Sequence, residues 1–167
     1  NNSRDVFVYL NNSTDGNIEF NLEATILSGG EPADWPTDYN WSAYSTTLVD
    51  IDGDDKLDIV VTNGTCLNCS PSGISILRNI STDSELGFEY EYSSFYQYES
   101  NSQPVGISIS DLNGDGKTDF VASRGHGKGV IWFEAPNWEL HGIHPSLKEP
   151  HSLIALDMDG DGDTDAA

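Results

Sequence analysis

One acidic string occurs three times in this chain and leaves few choices for its fold. It reads VDIDGDDKLDIVV at residues 49–61, SDLNGDGKTDFVA at 110–122 and LDMDGDGDTDAA at 156–167. Each copy places an acid or amide oxygen at positions 1, 3, 5 and 9 of a short loop. These are Asp50, Asp52, Asp54 and Asp58, then Asp111, Asn113, Asp115 and Asp119, then Asp157, Asp159, Asp161 and Asp165. Carboxylates this dense repel one another and call for a counter-charge. A hard cation with oxygen ligands supplies one, and calcium accepts several single carboxylate oxygens plus a backbone carbonyl. The carbonyl falls to position 7, which is Lys56, Lys117 or Asp163. Gly53, Gly114 and Gly160, with Gly116 and Gly162, let the backbone curl at positive φ. Asp55 replaces the second glycine in the first copy, and Asp tolerates that conformation better than most residues. About three calcium ions with a structural role are therefore expected.

An EF-hand needs a Glu at position 12 and a helix on each side. Position 12 is Val61 in the first copy and Ala122 in the second, and the flanks alternate like strands. Self-similarity extends further. Residues 5–11, 73–79 and 129–135 align as apolar strands, and NNSTDGNIEF at 11–20 matches NISTDSELGF at 79–88. Fourth strands are expected at 20–27, 88–93 and 138–143, and strands leading into the loops at 45–49, 106–110 and 152–156. The unit reads strand, acidic loop, strand, short loop, strand, turn, strand. Four short antiparallel strands per repeat of this length read as a β-propeller blade.

That unit, D-x-D/N-G-D-G-x-x-D between strands followed by a Gly-Val/Ile strand, resembles the FG-GAP/VCBS repeat of integrin-α-like propellers. The stretch from Val130 to Ala167, with Trp132, Trp138, His141, Ile143 and His151, is the most similar. The resemblance implies an all-β fold of propeller blades. The chain divides into residues 1–43 (second half of a blade plus linker), 44–104 and 105–150 (complete blades) and 151–167 (first half of a blade). About three blades' worth of strands is too few to close a ring, which takes typically about 4–8 blades. The expected partner is the rest of a longer propeller, or another copy joined head-to-tail through half-blades. The absence of an initiator Met at Asn1 fits a mature form or a fragment.

Composition narrows the function. The chain has 167 residues, 37% of them hydrophobic, which suffices for a core. With 28 acids against 7 bases the net charge is −21, which argues against nucleic acid and anionic membranes as partners. No run is long and apolar enough to span a bilayer. Cys66 and Cys69 form a C-x-x-C pair best read as a loop disulfide, which implies an oxidising, extracellular setting. Asn1, Asn11, Asn12, Asn40, Asn63, Asn68 and Asn79 head Asn-x-Ser/Thr triplets and are glycosylation candidates. The family resemblance puts residues 29–43, 62–72, 94–104 and 124–128 on the face opposite the acidic loops. Trp35, Tyr39, Trp41, Tyr96, Arg124 and His126 there are candidates for a glycan or an extracellular protein ligand, against the plainer reading that such aromatics pack between blades. No nucleophile elbow or phosphate-binding loop is present. The expectation is a non-catalytic module for adhesion, carbohydrate binding or assembly. The alternatives are a filament subunit, and a polysaccharide-degrading enzyme using Arg124, His126 and Tyr39.

Overall fold

The computed structural model describes residues 5–27, 41–65, 72–96, 104–125 and 127–167. All regular structure among them is β. The strands are β1 (Asp5–Asn11), β2 (Phe20–Leu27), β3 (Trp41–Val49), β4 (Asp58–Thr65), β5 (Ser72–Asn79), β6 (Phe88–Tyr96), β7 (Pro104–Ser110), β8 (Asp119–Arg124), β9 (Lys128–Glu134), β10 (Glu139–Lys148), β11 (Ala155–Leu156) and β12 (Asp165–Ala166). They form two four-stranded antiparallel meanders, β3-β4-β5-β6 and β7-β8-β9-β10, and two two-stranded sheets, β1-β2 and β11-β12. This is the blade architecture expected from the repeat, with the sheets not closed into a ring. The acidic loops join β3 to β4, β7 to β8 and β11 to β12, and the register closes on the acids, Val49↔Asp58, Ser110↔Asp119 and Leu156↔Asp165.

The strands form where β-branched and aromatic residues meet a second apolar face. In β4, Val60 points to one side and Ile59 and Val61 to the other, and all three are buried. Such a run without a polar alternate is what a strand covered on both faces requires. Val60, Ile74 and Ile76 pack against Phe120, Ala122 and Phe133 of the next sheet. Ile59, Val61 and Leu77 pack with Val6 of β1. The sheets therefore stack face to face in chain order.

The repeat holds to the level of single hydrogen bonds. In the β1–β2 turn the Ser13 N–H donates to Asn11 Oδ1 at 2.9 Å, and the Glu19 N–H donates to Ser13 Oγ at 2.8 Å. In the β5–β6 turn the Ser81 N–H donates to Asn79 Oδ1 at 3.0 Å, and the Gly87 N–H donates to Ser81 Oγ at 3.0 Å. Likewise, a strand-two hydroxyl fills the bulge of strand one: the Ser45 N–H donates to Thr62 Oγ1 at 3.0 Å, and the Gly106 N–H to Ser123 Oγ at 3.1 Å.

Candidate metal loops

All three acidic loops adopt one conformation. The position-1 carboxylate curls the chain over itself: Oδ1 accepts from the N–H of Gly53 (2.8 Å), Gly114 (2.8 Å) or Gly160 (2.7 Å). Its Oδ2 accepts from Asp55 (2.9 Å), Gly116 (2.8 Å) or Gly162 (3.0 Å). The position-3 Oδ1 accepts from the N–H two residues on, at 3.1, 3.0 and 3.1 Å in the three loops. This wrapping requires positive φ at two places, and Gly53, Gly114 and Gly160 supply the first at 79°, 75° and 83°. Asp55 adopts φ 66° at the second, where Gly116 and Gly162 stand at 85° and 98°. The substitution of Asp for Gly is therefore accommodated without a change of loop type.

The position-9 residues do more than line the loop. Asp58 and Asp119 are 1% and 0% exposed. Through Oδ2 each accepts from the N–H of position 2, Ile51 at 3.0 Å and Leu112 at 3.1 Å. Through Oδ1 each accepts from the end of strand three, Asn79 at 2.8 Å and Ala135 at 2.9 Å. Asp165 makes the first of these bonds, to Met158 at 3.0 Å. The carboxylate thus staples the loop to the neighbouring hairpin. Burial pushes the Asp119 carboxyl above the ordinary Asp range. The Ala135 and Leu112 donors oppose that rise, and the charges of Asp115 and Asp111 add to it.

The carboxylates that converge are those of positions 1, 3 and 9. Asp50, Asp52 and Asp58 bring ligand atoms within 4.8 Å of one another, as do Asp157, Asp159 and Asp165. The second loop has Asn113 at position 3, whose amide oxygen is a neutral donor of the same reach. Position 5 stands apart. Asp54, Asp115 and Asp161 each accept from the N–H of position 7, at 2.9 Å. Asp54 also pairs with the Lys56 ammonium at 3.2 Å, and Asp115 with that of Lys117 at 2.6 Å. The Lys56 N–H, followed by its side chain, draws the Asp54 carboxyl below its usual range, and the Lys117 ammonium, then its N–H, does the same to Asp115. The donor set is all oxygen, with several carboxylates on one short loop, and fits calcium.

Residues outside the string also reach the loops. Arg78, at the end of β5, places Nη1 3.3 Å from Asp52 Oδ2 and 3.0 Å from Asp58 Oδ2. Glu134, at the end of β9, accepts from Asn113 Nδ2 at 3.0 Å and pairs with His141 Nε2 at 2.7 Å. Trp132 stacks on the His141 ring at a centroid distance of 4.5 Å. Glu134, Glu139 and His141 form a further group of convergent ligand atoms. An open cleft of about 480 Å³ lies between the first and second loops, with Asp50, Asp52, Arg78, Lys117, Pro136 and Trp138 among its walls.

Residues 111–167 match the family model of the FG-GAP-like repeat. This segment is similar to an FG-GAP-like repeat. Comparison with curated proteins and with solved structures finds no match. The matched segment holds the second and third loops, and the first loop, outside it, repeats the same hydrogen bonds from Asp50 to Asp58. The loop geometry of the matched segment therefore recurs between β3 and β4.

The candidates on the opposite face fall largely outside the described residues: Trp35, Tyr39, His126, Cys66 and Cys69 all do, as do Asn1, Asn40 and Asn68. Trp41 and Tyr96 are described only as strand backbone, in β3 and β6. Arg124 ends β8 and is half-buried. Of the glycosylation candidates, Asn11 and Asn12 are exposed. Asn79 donates through Nδ2 to the Leu57 carbonyl at 3.0 Å. Asn63 is a correction to the sequence reading: it is 2% exposed and its amide donates to Ser75 Oγ, so the folded blade offers no room there for a glycan. Among the described residues no helix is long and apolar enough to cross a membrane.

Proposed function

We propose that the chain is a calcium-stabilised, non-catalytic segment of a β-propeller, serving extracellular adhesion, carbohydrate binding or assembly. The observation that carries the reading is the shared loop geometry. Three acidic loops share the hydrogen bonds of their position-1 and position-3 side chains, and two of them bring three carboxylates together in the turn between strands one and two. Calcium would be held by the position-1, -3 and -9 side chains, with the carbonyl of Lys56, Lys117 or Asp163. Its part is to neutralise the loop and fix the turn between strands one and two.

A further sheet is proposed to cover the β1–β2 hairpin. By the alignment of third strands, Tyr9 takes the place of Leu77 and Phe133. Those two are each 1% exposed, whereas Tyr9 is 55% exposed, with Phe20 and Leu22 also open. The covering strands belong to a longer chain or to a second copy, and light scattering of the isolated chain distinguishes the two.

Thermal unfolding in calcium and in excess chelator tests the metal reading. For a Kd of about 10⁻⁴ M, typical of weak extracellular sites, 10 mM calcium adds roughly 2.7 kcal/mol per site. In a chain of this size that raises Tm by about 5–10 °C per site. Identical melting curves in the two conditions would remove calcium from the account.

A further inference from the structure

Arg78 and Glu134 occupy the same position of the repeat. Each directly precedes the residue whose N–H donates to the position-9 carboxylate, Asn79 in one blade and Ala135 in the next. Each also faces the position-3 side chain of its own loop. The position-3 partner changes with it. Where position 3 is Asp52, its Oδ2 faces the Arg78 guanidinium at 3.3 Å. Where it is Asn113, its Nδ2 donates to the Glu134 carboxylate at 3.0 Å. A charged donor against an acceptor in one blade has become an amide donor against a carboxylate in the other.

The consequence lies in the first loop's charge. Arg78 contacts Asp52 and Asp58, two of the three residues whose carboxylates converge there. Its cation is half-buried and backed by β5, so it is held in place rather than waving in solvent. The second loop meets an extra carboxylate at the same position. The first and third loops each carry five carboxylates, Asp50, Asp52, Asp54, Asp55 and Asp58 against Asp157, Asp159, Asp161, Asp163 and Asp165, but the third has no basic residue inside it where the first has Lys56.

We propose that Arg78 is the first loop's built-in counter-cation, competing with calcium for Asp52 and Asp58. The first loop consequently folds with less help from the ion, and binds it more weakly, than the third loop, which has as many carboxylates and no basic residue inside it. The proposal rests on the calcium reading for its competitive half only. The counter-cation half is a statement about the ion-free protein.

The test compares the full chain with Arg78→Gln and Arg78→Lys, by calcium titration calorimetry and by melting in chelator. Arg78→Gln should melt lower than the parent in chelator, because Asp52 and Asp58 lose their partner. It should also bind calcium about tenfold more tightly at one site, as removing one cationic charge from the edge of a solvated site implies. Adding Asp52→Asn to Arg78→Gln should abolish that gain, which assigns it to the first loop. Arg78→Lys keeps the charge and should match the parent in both measurements. It also serves if Arg78→Gln fails to fold, since tighter calcium binding by Arg78→Lys would overturn the proposal. Unchanged melting and an unchanged isotherm in Arg78→Gln overturn it as well. Lack of calcium uptake by the parent and Arg78→Gln alike instead sinks the calcium reading and the competition with it, while the chelator melts still judge the counter-cation.

Discussion

Asp119→Ala separates two roles that one carboxylate plays. The structure makes Asp119 a staple even without an ion: Oδ2 holds the Leu112 N–H at 3.1 Å and Oδ1 the Ala135 N–H at 2.9 Å, with the side chain fully buried. Hydrogen bonds to an ionised acceptor contribute about 1.5–3 kcal/mol each, so two give about 3–6 kcal/mol. Two effects offset this. Burial disfavours the charged carboxylate, as its raised pKa reports, and the charges of Asp111 and Asp115 disfavour it further. Water can also reach the half-buried Leu112 after truncation, whereas Ala135 stays enclosed. The expected loss in chelator is about 2–4 kcal/mol, or a fall in Tm of roughly 5–15 °C for a chain of this length. Urea unfolding followed by tryptophan fluorescence suits the measurement, since Trp138 stacks on Phe120 next to Asp119 with centroids 4.6 Å apart. Asp119→Asn, which keeps one acceptor and sheds the charge, should lose less in chelator yet gain less from added calcium. A loss from Asp119→Ala below about 0.5 kcal/mol in chelator would refute the staple, because surface substitutions reach that size without breaking anything. A loss seen only with calcium would reduce Asp119 to a ligand.

Val60→Ala removes two methyls from the fully buried seam between the two four-stranded sheets and should cost about 2 kcal/mol in urea unfolding. Gly125→Ala puts a Cβ 2.3 Å and 2.9 Å from the Val105 methyls and 3.2 Å from His151 Nδ1, so it should destabilise by about 1–3 kcal/mol. Gly142→Ala, with nothing within 4 Å of its Cβ, is the matched control and should stay within about 0.5 kcal/mol of the parent.

The strands were legible because their two signals agree: apolar runs such as Ile59-Val60-Val61, and the turn chemistry of Asn11-Asn12-Ser13 and Asn79-Ile80-Ser81. Strand lengths were less so. The lead-in to the second loop begins at Pro104 rather than Gly106, while that to the third spans only Ala155–Leu156. The loop positions followed from spacing, but spacing alone treats positions 1, 3, 5 and 9 as equals. Position 5 is instead engaged in all three loops by the N–H of position 7, and in the first two the lysine at that position adds an ion pair. The position-9 staple was not visible, because its second donor lies 21 or 16 residues away on another hairpin. The signal for Arg78 and Glu134 was present in the alignment of third strands, where an apolar column ends in two opposite charges. Only the register that carries β5 back beside the loop gives those charges a target.

The two seams beside the β7–β10 sheet differ in chemistry, and the alternation of β7 explains why. Ile107 and Ile109 face the β3–β6 sheet and join Phe120, Ala122 and Phe133 in an apolar seam. The intervening serines serve the β11–β12 side, where Ser108 Oγ accepts from the Ala155 N–H at 3.0 Å and Ser110 shares a 2.7 Å hydrogen bond with Thr164. An apolar seam gains stability in proportion to the area it buries, whereas a hydroxyl seam contributes about 1 kcal/mol per bond and depends on the loop backbone being in register. Thr164 directly precedes the position-9 Asp165, so the polar seam is anchored on the third acidic loop itself. That loop is also the one with five carboxylates and no internal lysine. The conformation of that loop therefore bears on more than a turn: the Ser110–Thr164 contact, and with it the packing of the β11–β12 hairpin on β7, depends on the loop backbone.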